Sequence, residues 1–175
     1  MSDLLHDKPQ DVSECRSLFK AQQGQPHDWH FVSDQVMGGC SVGRIDLLER
    51  AGRACICMRG EVSLANNGGF VQVRMDWPQI ADTTDYHGLY LVLLGDGHAI
   101  DVRLKTSVLQ HPWQSFRTSL QPGQQWQSWW LPFSDFQPHR TDAVFEPATL
   151  RSIGLVAIGE AMSVDLCVAE LGMYR

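Results

Sequence analysis

Two glycine-rich segments, residues 29–43 and 60–70, hold the polar side chains whose types and spacing could do chemistry. Their glycines can take a positive φ or let another surface approach closely, and their short Asp, Asn and Ser side chains can bond exposed backbone amides. With the arginine that follows the second segment, the candidate binding residues are Asp34, Gly38, Gly39, Ser41, Asn66, Asn67, Gly68, Gly69 and Arg74.

Two interpretations of these segments stay open. One is plain turn chemistry, because Asn67-Gly68 is itself a strong hairpin signal. In the other, the two loops meet at one end of the fold and form a polar pocket, since loops on a rigid base often carry function. We predict that the segments form one unit, held together by Asp34 and by Asn66 or Asn67.

The sequence contains no recognisable set of catalytic residues. Its seven histidines are scattered, and His27-x-x-His30 lacks the further partners that a metal site needs. It has neither a nucleophile elbow nor a zinc-protease motif, and residues 38–43 lack the Lys-Ser/Thr that completes a phosphate-binding loop. We therefore predict that the domain is not an enzyme and uses no metal or cofactor.

Six tryptophans are many for 175 residues, and four of them, Trp113, Trp126, Trp129 and Trp130, lie close in sequence. They suit a stacking platform for sugar rings, a hot spot for a protein partner, or an ordinary core. Successive residues of a strand point to opposite faces, so one of Trp129 and Trp130 should be core and the other free for the outer surface. We keep both as candidate surface aromatics.

The five cysteines are odd in number and lack the dense spacing of a secreted disulfide scaffold. We therefore predict free thiols and a reducing, cytoplasmic location. Cys55 and Cys57 lie two apart, on one face of a predicted strand, where small buried apolar residues explain them without a metal.

Length and charge limit the remaining possibilities. The chain has the length of one domain with a real core, and we assign residues 1–16 to a loose N-terminal arm and residues 17–175 to a single domain. The net charge of −6 disfavours nucleic acid, which requires a basic patch. No stretch approaches the roughly 20 apolar residues of a membrane helix, so we predict no membrane insertion.

Apolar and polar residues alternate with period two through much of the chain, as in residues 70–77 and 100–105. Residues 86–94 are apolar almost throughout, which is typical of a central strand covered on both sides. Further strands are predicted at residues 54–64, 115–120, 126–131, 153–158 and 164–171. Helical periodicity is confined to residues 12–21 and 147–151. The pattern predicts an all-β fold, an antiparallel sandwich or jelly roll.

The two glycine-rich segments also carry a family resemblance. The pattern W-x-x-x-x-D-x-V-M-G-G-x-S-x-G at residues 29–43, followed by G-x-V-S-L-x-N-N-G-G-F-x-x-V-R at residues 60–74, resembles the signature of the complex I intermediate-associated protein family. The similarity continues through Tyr86-His-Gly-Leu, Gly95-Asp-Gly, Leu131-Pro-Phe and Ile153-Gly, and it covers residues 17–175.

This resemblance implies a β-sandwich of the galactose-binding-like kind. It also implies a chaperone-like assembly factor whose protein partners are subunits of a respiratory complex. A carbohydrate-binding module is the alternative that the same architecture leaves open.

Overall fold

The computed structural model describes residues 7–79 and 83–175, which form two antiparallel β-sheets packed face to face around one apolar core. In chain order the strands are β1 (Cys15–Lys20), β2 (Trp29–Ser33), β3 (Val42–Arg50), β4 (Arg53–Val62), β5 (Phe70–Asp76), β6 (Gly88–Leu94), β7 (Ile100–Thr106), β8 (Ser115–Leu120), β9 (Gln127–Pro132), β10 (Gln137–His139), β11 (Leu150–Ile158) and β12 (Met162–Tyr174). This confirms the predicted all-β sandwich.

The first sheet has the order β3-β4-β12-β6-β9, and β1 also pairs with β12. The second sheet has the order β10-β8-β7-β11-β5-β2. Neighbours in sequence are often neighbours in space, but β12 returns from the end of the chain to the middle of the first sheet. The last strand therefore holds that sheet together.

Alternation of side chains decides which residues form the core. In β7, Ile100, Val102 and Leu104 are buried at 2% exposure or less, while the residues between them are only half-buried. All seven residues of β6 are buried, as expected for an apolar strand covered on both faces. The strands predicted from these two patterns are confirmed, with ends that differ by a few residues.

The short helix predicted at residues 12–21 is wrong, because β1 occupies Cys15–Lys20. The physical reason lies in β12, whose first half, Met162–Val168, pairs with β4. Beyond Val168 the same edge of β12 would have unpaired backbone groups, and β1 pairs there instead, with residues 170–174. Long-range pairing thus overrides a weak local helical pattern.

Helix in the described part of the chain is limited to short 3-10 segments, at Asp34–Met37, Ala65–Asn67, Phe133–Asp135 and Pro147–Thr149. The last of these lies within the second predicted helix. No helix among residues 7–79 and 83–175 has the length and hydrophobicity to cross a bilayer. Of the predicted arm, residues 1–6 lie outside the described residues, and Cys15 and Arg16 belong to β1.

Candidate functional site

The two glycine-rich segments meet at one end of the sandwich, around the carboxylate of Asp34. This residue follows β2 and is fully buried. It accepts hydrogen bonds from the Ser41 backbone N–H at 2.9 Å, the Ser41 hydroxyl, the Gly69 N–H at 2.6 Å and the Phe70 N–H at 3.2 Å. We call the joined segments, residues 34–41 and 63–70, the clasp.

Four donors keep the buried carboxylate of Asp34 ionised. Burial raises its pKa, but the hydrogen bonds from Ser41, Gly69 and Phe70 together outweigh burial and bring the pKa below its ordinary value. Every donor is a neutral group of the clasp itself. The negative charge is therefore stabilised by local dipoles and not by a salt bridge.

Several glycines of the motif leave room for this carboxylate. A Cβ added to Gly39 would lie 2.4 Å from the Asp34 side chain, and one added to Gly68 would lie 2.5 Å from its Oδ2. Gly38 and Gly69 have φ values of 86° and 141°, which side-chain-bearing residues rarely adopt. The glycines are thus explained by close packing and by backbone conformation.

Ser41 links the clasp to the first sheet. Its hydroxyl oxygen accepts a hydrogen bond of 2.9 Å from the Ser63 N–H, just beyond the end of β4, while its own hydrogen is donated to Asp34. The Asn66 amide lies 3.4 Å from the Cys40 sulfur and adds a second link between the segments. Asp34 and Ser41 thereby connect the strands of both sheets at this end.

The structure does not bring all the candidate residues together. Asp34, Gly39, Ser41, Gly68 and Gly69 form the inside of the clasp. Asn66 and Asn67 are exposed on its surface, both with φ of 57°. Arg74 lies elsewhere, on the outer face of the second sheet, where it pairs with Asp76 at 3.2 Å.

Sequence reasoning missed the apolar side chains that the clasp presents to solvent. Val36, Met37 and Leu64 of the clasp are 74%, 66% and 51% exposed, and Val42, the first residue of β3 directly after the clasp, is 50% exposed. We call these four residues the apolar patch. The available signal was Val-Met inside a glycine-rich turn, where apolar residues are unusual.

Trp129 and Trp130 point to opposite faces, as predicted. Trp129 is 8% exposed and belongs to the core, while Trp130 lies on the outer face of the first sheet. The Trp130 ring stacks on Tyr90 at 5.1 Å and meets the edge of Tyr174 at 5.3 Å, and the Lys8 ammonium lies 5.7 Å from its centre. Burial raises the pKa of Tyr90 to about 12.

The prediction that all thiols stay free is wrong, because Cys57 and Cys167 form a disulfide. These residues are directly opposite each other on β4 and β12, a pairing that only the folded sheet creates. The Cys55 sulfur lies 3.6 Å from that of Cys57, and burial raises the pKa of the Cys55 thiol. The three sulfurs lie within 4.8 Å of one another, but two of them are used by the disulfide.

Solved structures share the fold. A family 11 carbohydrate-binding module from Clostridium thermocellum, in complex with a beta-1,3-1,4-mixed-linked tetrasaccharide, is 13% identical with a TM-score of 0.72, over 91% of this chain and 94% of that chain. A family 30 carbohydrate-binding module of a cellulosomal cellulase of Clostridium thermocellum is 11% identical with a TM-score of 0.64, over 91% and 96%. At these identities the likeness shows the fold alone.

Comparison of the sequence with protein-family models identifies a family. The model described as complex I intermediate-associated protein 30 matches residues 17–167, which include both segments of the clasp. No curated protein matches the chain.

Proposed function

The chain belongs to the complex I intermediate-associated protein 30 family, and from this premise we propose that it is a non-catalytic, chaperone-like domain that binds protein subunits during assembly of a respiratory complex. The observation that supports this most is the apolar patch. Three of its four residues lie in the clasp, and all four lie within the segments that carry the family motif. We place the protein contact there.

The apolar patch suits a protein partner for two reasons. Exposed valine, methionine and leucine side chains gain free energy when a partner removes them from water, and clustered ones mark interaction surfaces. The clasp also holds the two segments in place through Asp34 before binding. A preorganised surface loses less conformational entropy when the partner arrives.

Polar groups around the patch complete the proposed interface. The exposed amides of Asn66 and Asn67 supply donors and acceptors at its rim, in keeping with interfaces that have an apolar centre and a polar margin. Gly38 is also exposed and lets a partner backbone approach closely. Asp34 and Ser41 support this surface from beneath.

We assign no reaction to the clasp. The four hydrogen bonds of Asp34 all come from within the clasp, and its carboxylate is buried and ionised, so it lacks contact with a solvent-borne substrate. A general acid or base must reach the proton that it transfers. A buried carboxylate bonded on all sides does not meet that condition.

The proposal is tested by capture from detergent-solubilised membranes, with bound proteins identified by mass spectrometry. We expect the wild type to recover subunits of the respiratory NADH dehydrogenase complex, and the double variant Val36→Glu/Met37→Glu to lose most of them. Val144→Glu is the matched control, because Val144 is 76% exposed but distant in sequence from the clasp. Failure of the wild type to recover such subunits, or equal recovery by the double variant, rejects the proposal.

Carbohydrate binding is the second candidate. It is supported by the fold shared with carbohydrate-binding modules and by Trp113, which is 54% exposed and stacks on His111 with ring centres 4.5 Å apart. An exposed indole face packs well against the C–H face of a sugar ring. A glycan array probed with the purified domain, compared with Trp113→Ala, tests this function without any protein partner.

A further inference from the structure

Basic residues form one row across the outer face of the second sheet. In strand register, Arg117 is opposite Arg103 and Arg103 is opposite Gly154. Gly154 is opposite Arg74, and Arg74 is opposite His30. We call the four basic residues of this line, Arg117, Arg103, Arg74 and His30, the basic row. Neighbouring strands lie about 4.8 Å apart, so the row extends roughly 19 Å across the sheet.

The basic row costs stability. Like charges directly opposite each other on neighbouring strands are destabilising, and the sheet places Arg103 beside Arg117. A glycine inside a strand weakens the strand, yet Gly154 occupies the middle of β11. A Cβ at Gly154 would lie 2.7 Å from the side-chain oxygen of Gln72, so the Gln72 side chain packs over this glycine, whose cross-strand partners are Arg74 and Arg103. The glycine is thus explained by packing of Gln72, and the arginines on neighbouring strands are the feature that recognition of an anion would require.

Two carboxylates offset only part of this charge. Arg74 pairs with Asp76 at 3.2 Å, and Arg103 pairs with Asp101 at 2.9 Å. Asp101 also lies 3.8 Å from Arg117 and accepts a hydrogen bond from a serine, so it is shared. The guanidinium of Arg117 is left with one distant partner.

Lys105 adds a fourth full positive charge, next to Arg103 on the same face of β7 and about 7 Å further along the strand. Its ammonium donates to the carbonyls of Pro112 and Gln114, which are neutral acceptors. Burial, and then the charges of Arg74 and Arg103, lower the pKa of Lys105. Four cations thus face two carboxylates on a protein whose net charge is −6.

An exposed aromatic ring lies in the loop between β7 and β8, which Lys105 binds near the end of β7. The bonds from Lys105 hold Pro112 and Gln114 against the outer face, and Trp113 lies between them in sequence. Trp113 is 54% exposed and stacks on His111. The loop that Lys105 binds therefore carries a stacking surface close in the chain to the residues bonded by the basic face.

We infer that this face binds a short acidic oligosaccharide, whose carboxylates lie along the basic row and one of whose rings packs on Trp113. The inference rests on the second function proposed above and adds the charge of the ligand and its position. A short chain fits because the net charge of −6 repels long polyanions such as nucleic acid. Arginine forks bind carboxylates with two parallel hydrogen bonds.

The test is calorimetric titration of the full chain with tetragalacturonate and with its fully methyl-esterified form, which has the same rings without the charges. We expect tetragalacturonate to bind and the ester to bind about tenfold more weakly or not at all, since charge-assisted hydrogen bonds are lost. Arg74→Gln and Arg117→Gln should each weaken tetragalacturonate binding by about tenfold, within the range for one charge-assisted contact. Phosphatidylglycerol vesicles are titrated in parallel.

Arg44→Gln is the matched control, because Arg44 is an exposed strand arginine paired with Asp46 two residues on, as Arg74 is with Asp76. It should bind like the wild type. Melting temperatures add a second readout: removing like-charge repulsion should leave Arg117→Gln as stable as the wild type or more so, whereas a structural role would lower its stability.

The outcomes separate this inference from the function on which it rests. If the ester binds as tightly as tetragalacturonate, or if Arg44→Gln weakens binding as much as Arg74→Gln and Arg117→Gln do, the acidic ligand is rejected. Carbohydrate binding is not rejected by either result. Binding of neither sugar overturns the acidic ligand, and a glycan array without hits overturns carbohydrate binding as well. If the vesicles bind through Arg74 and Arg117 and tetragalacturonate does not bind, the ligand of this face is a lipid surface, and the oligosaccharide proposal is rejected.

Discussion

The carboxylate of Asp34 accepts a hydrogen bond of 2.6 Å from the backbone N–H of Gly69, which lies 35 residues further along the chain. This contact joins the end of β2 to the start of β5, and the hydrogen bonds to Ser41 extend it to β3 and β4. One buried side chain therefore ties both sheets together beneath the apolar patch.

Replacing Asp34 with Ala should be strongly destabilising. The change removes the acceptor of four hydrogen bonds and leaves buried N–H groups without it, each costing about 1–3 kcal/mol. We expect the free energy of unfolding to fall by about 3 kcal/mol or more, measured by urea denaturation. Asp46→Ala is the control, because its surface pair with Arg44 should contribute less than about 1 kcal/mol. Similar losses in both variants would contradict the role of the clasp.

Acidification should remove the contribution of Asp34. Its folded-state pKa is lowered, so its contribution is complete above the ordinary carboxyl pKa of about 4 and disappears as the pH falls through the lower folded value. Protonated Asp34 resembles asparagine in charge. The stability difference between wild type and Asp34→Asn should therefore shrink as the pH falls from about 5 to 2. This range covers about one to two pH units on either side of the ordinary carboxyl pKa. A difference that is constant over this range would show that the carboxylate charge is not involved.

A methyl group at Gly68 should disrupt the clasp although the backbone there is unstrained. Gly68 has φ of −79°, but its added Cβ would lie 2.5 Å from Asp34 Oδ2, which three hydrogen bonds hold in place. We expect Gly68→Ala to cost about 1–3 kcal/mol, the range for overpacking in a rigid site. Gly123→Ala serves for comparison, because its Cβ would have no atom within 4 Å. Thermal unfolding of both variants checks the difference.

The sequence predicted the parts of this protein that depend on local patterns. Alternation identified β5 and β7, and the motif placed Asp34 with Gly68 and Gly69. The sequence did not predict β1, because that strand forms only where β12 extends beyond its pairing with β4. Nor did it reveal that Asp34 is buried: a short polar residue among glycines suits an open pocket as well as an internal clasp. Burial depends on contacts from the second segment, 35 residues away.

The disulfide between Cys57 and Cys167 yields the last prediction. It closes a loop of 110 residues between the middle strands of the first sheet. Restricting so long a loop in the unfolded chain should stabilise the protein by about 2–5 kcal/mol. We expect the double variant Cys57→Ala/Cys167→Ala to lose stability on this scale, and the wild type to lose a similar amount when the dithiol-free reductant tris(carboxyethyl)phosphine is added.

The exposed cysteines provide the control for this prediction. Cys15 and Cys40 are free and exposed, so the double variant Cys15→Ser/Cys40→Ser should unfold like the wild type and respond equally to the reductant. Intact mass spectrometry with alkylation should find three reactive thiols in the unfolded, unreduced wild type and five after reduction, because two of the five cysteines are joined. Five reactive thiols before reduction, with unchanged unfolding after it, would restore the expectation that every thiol is free.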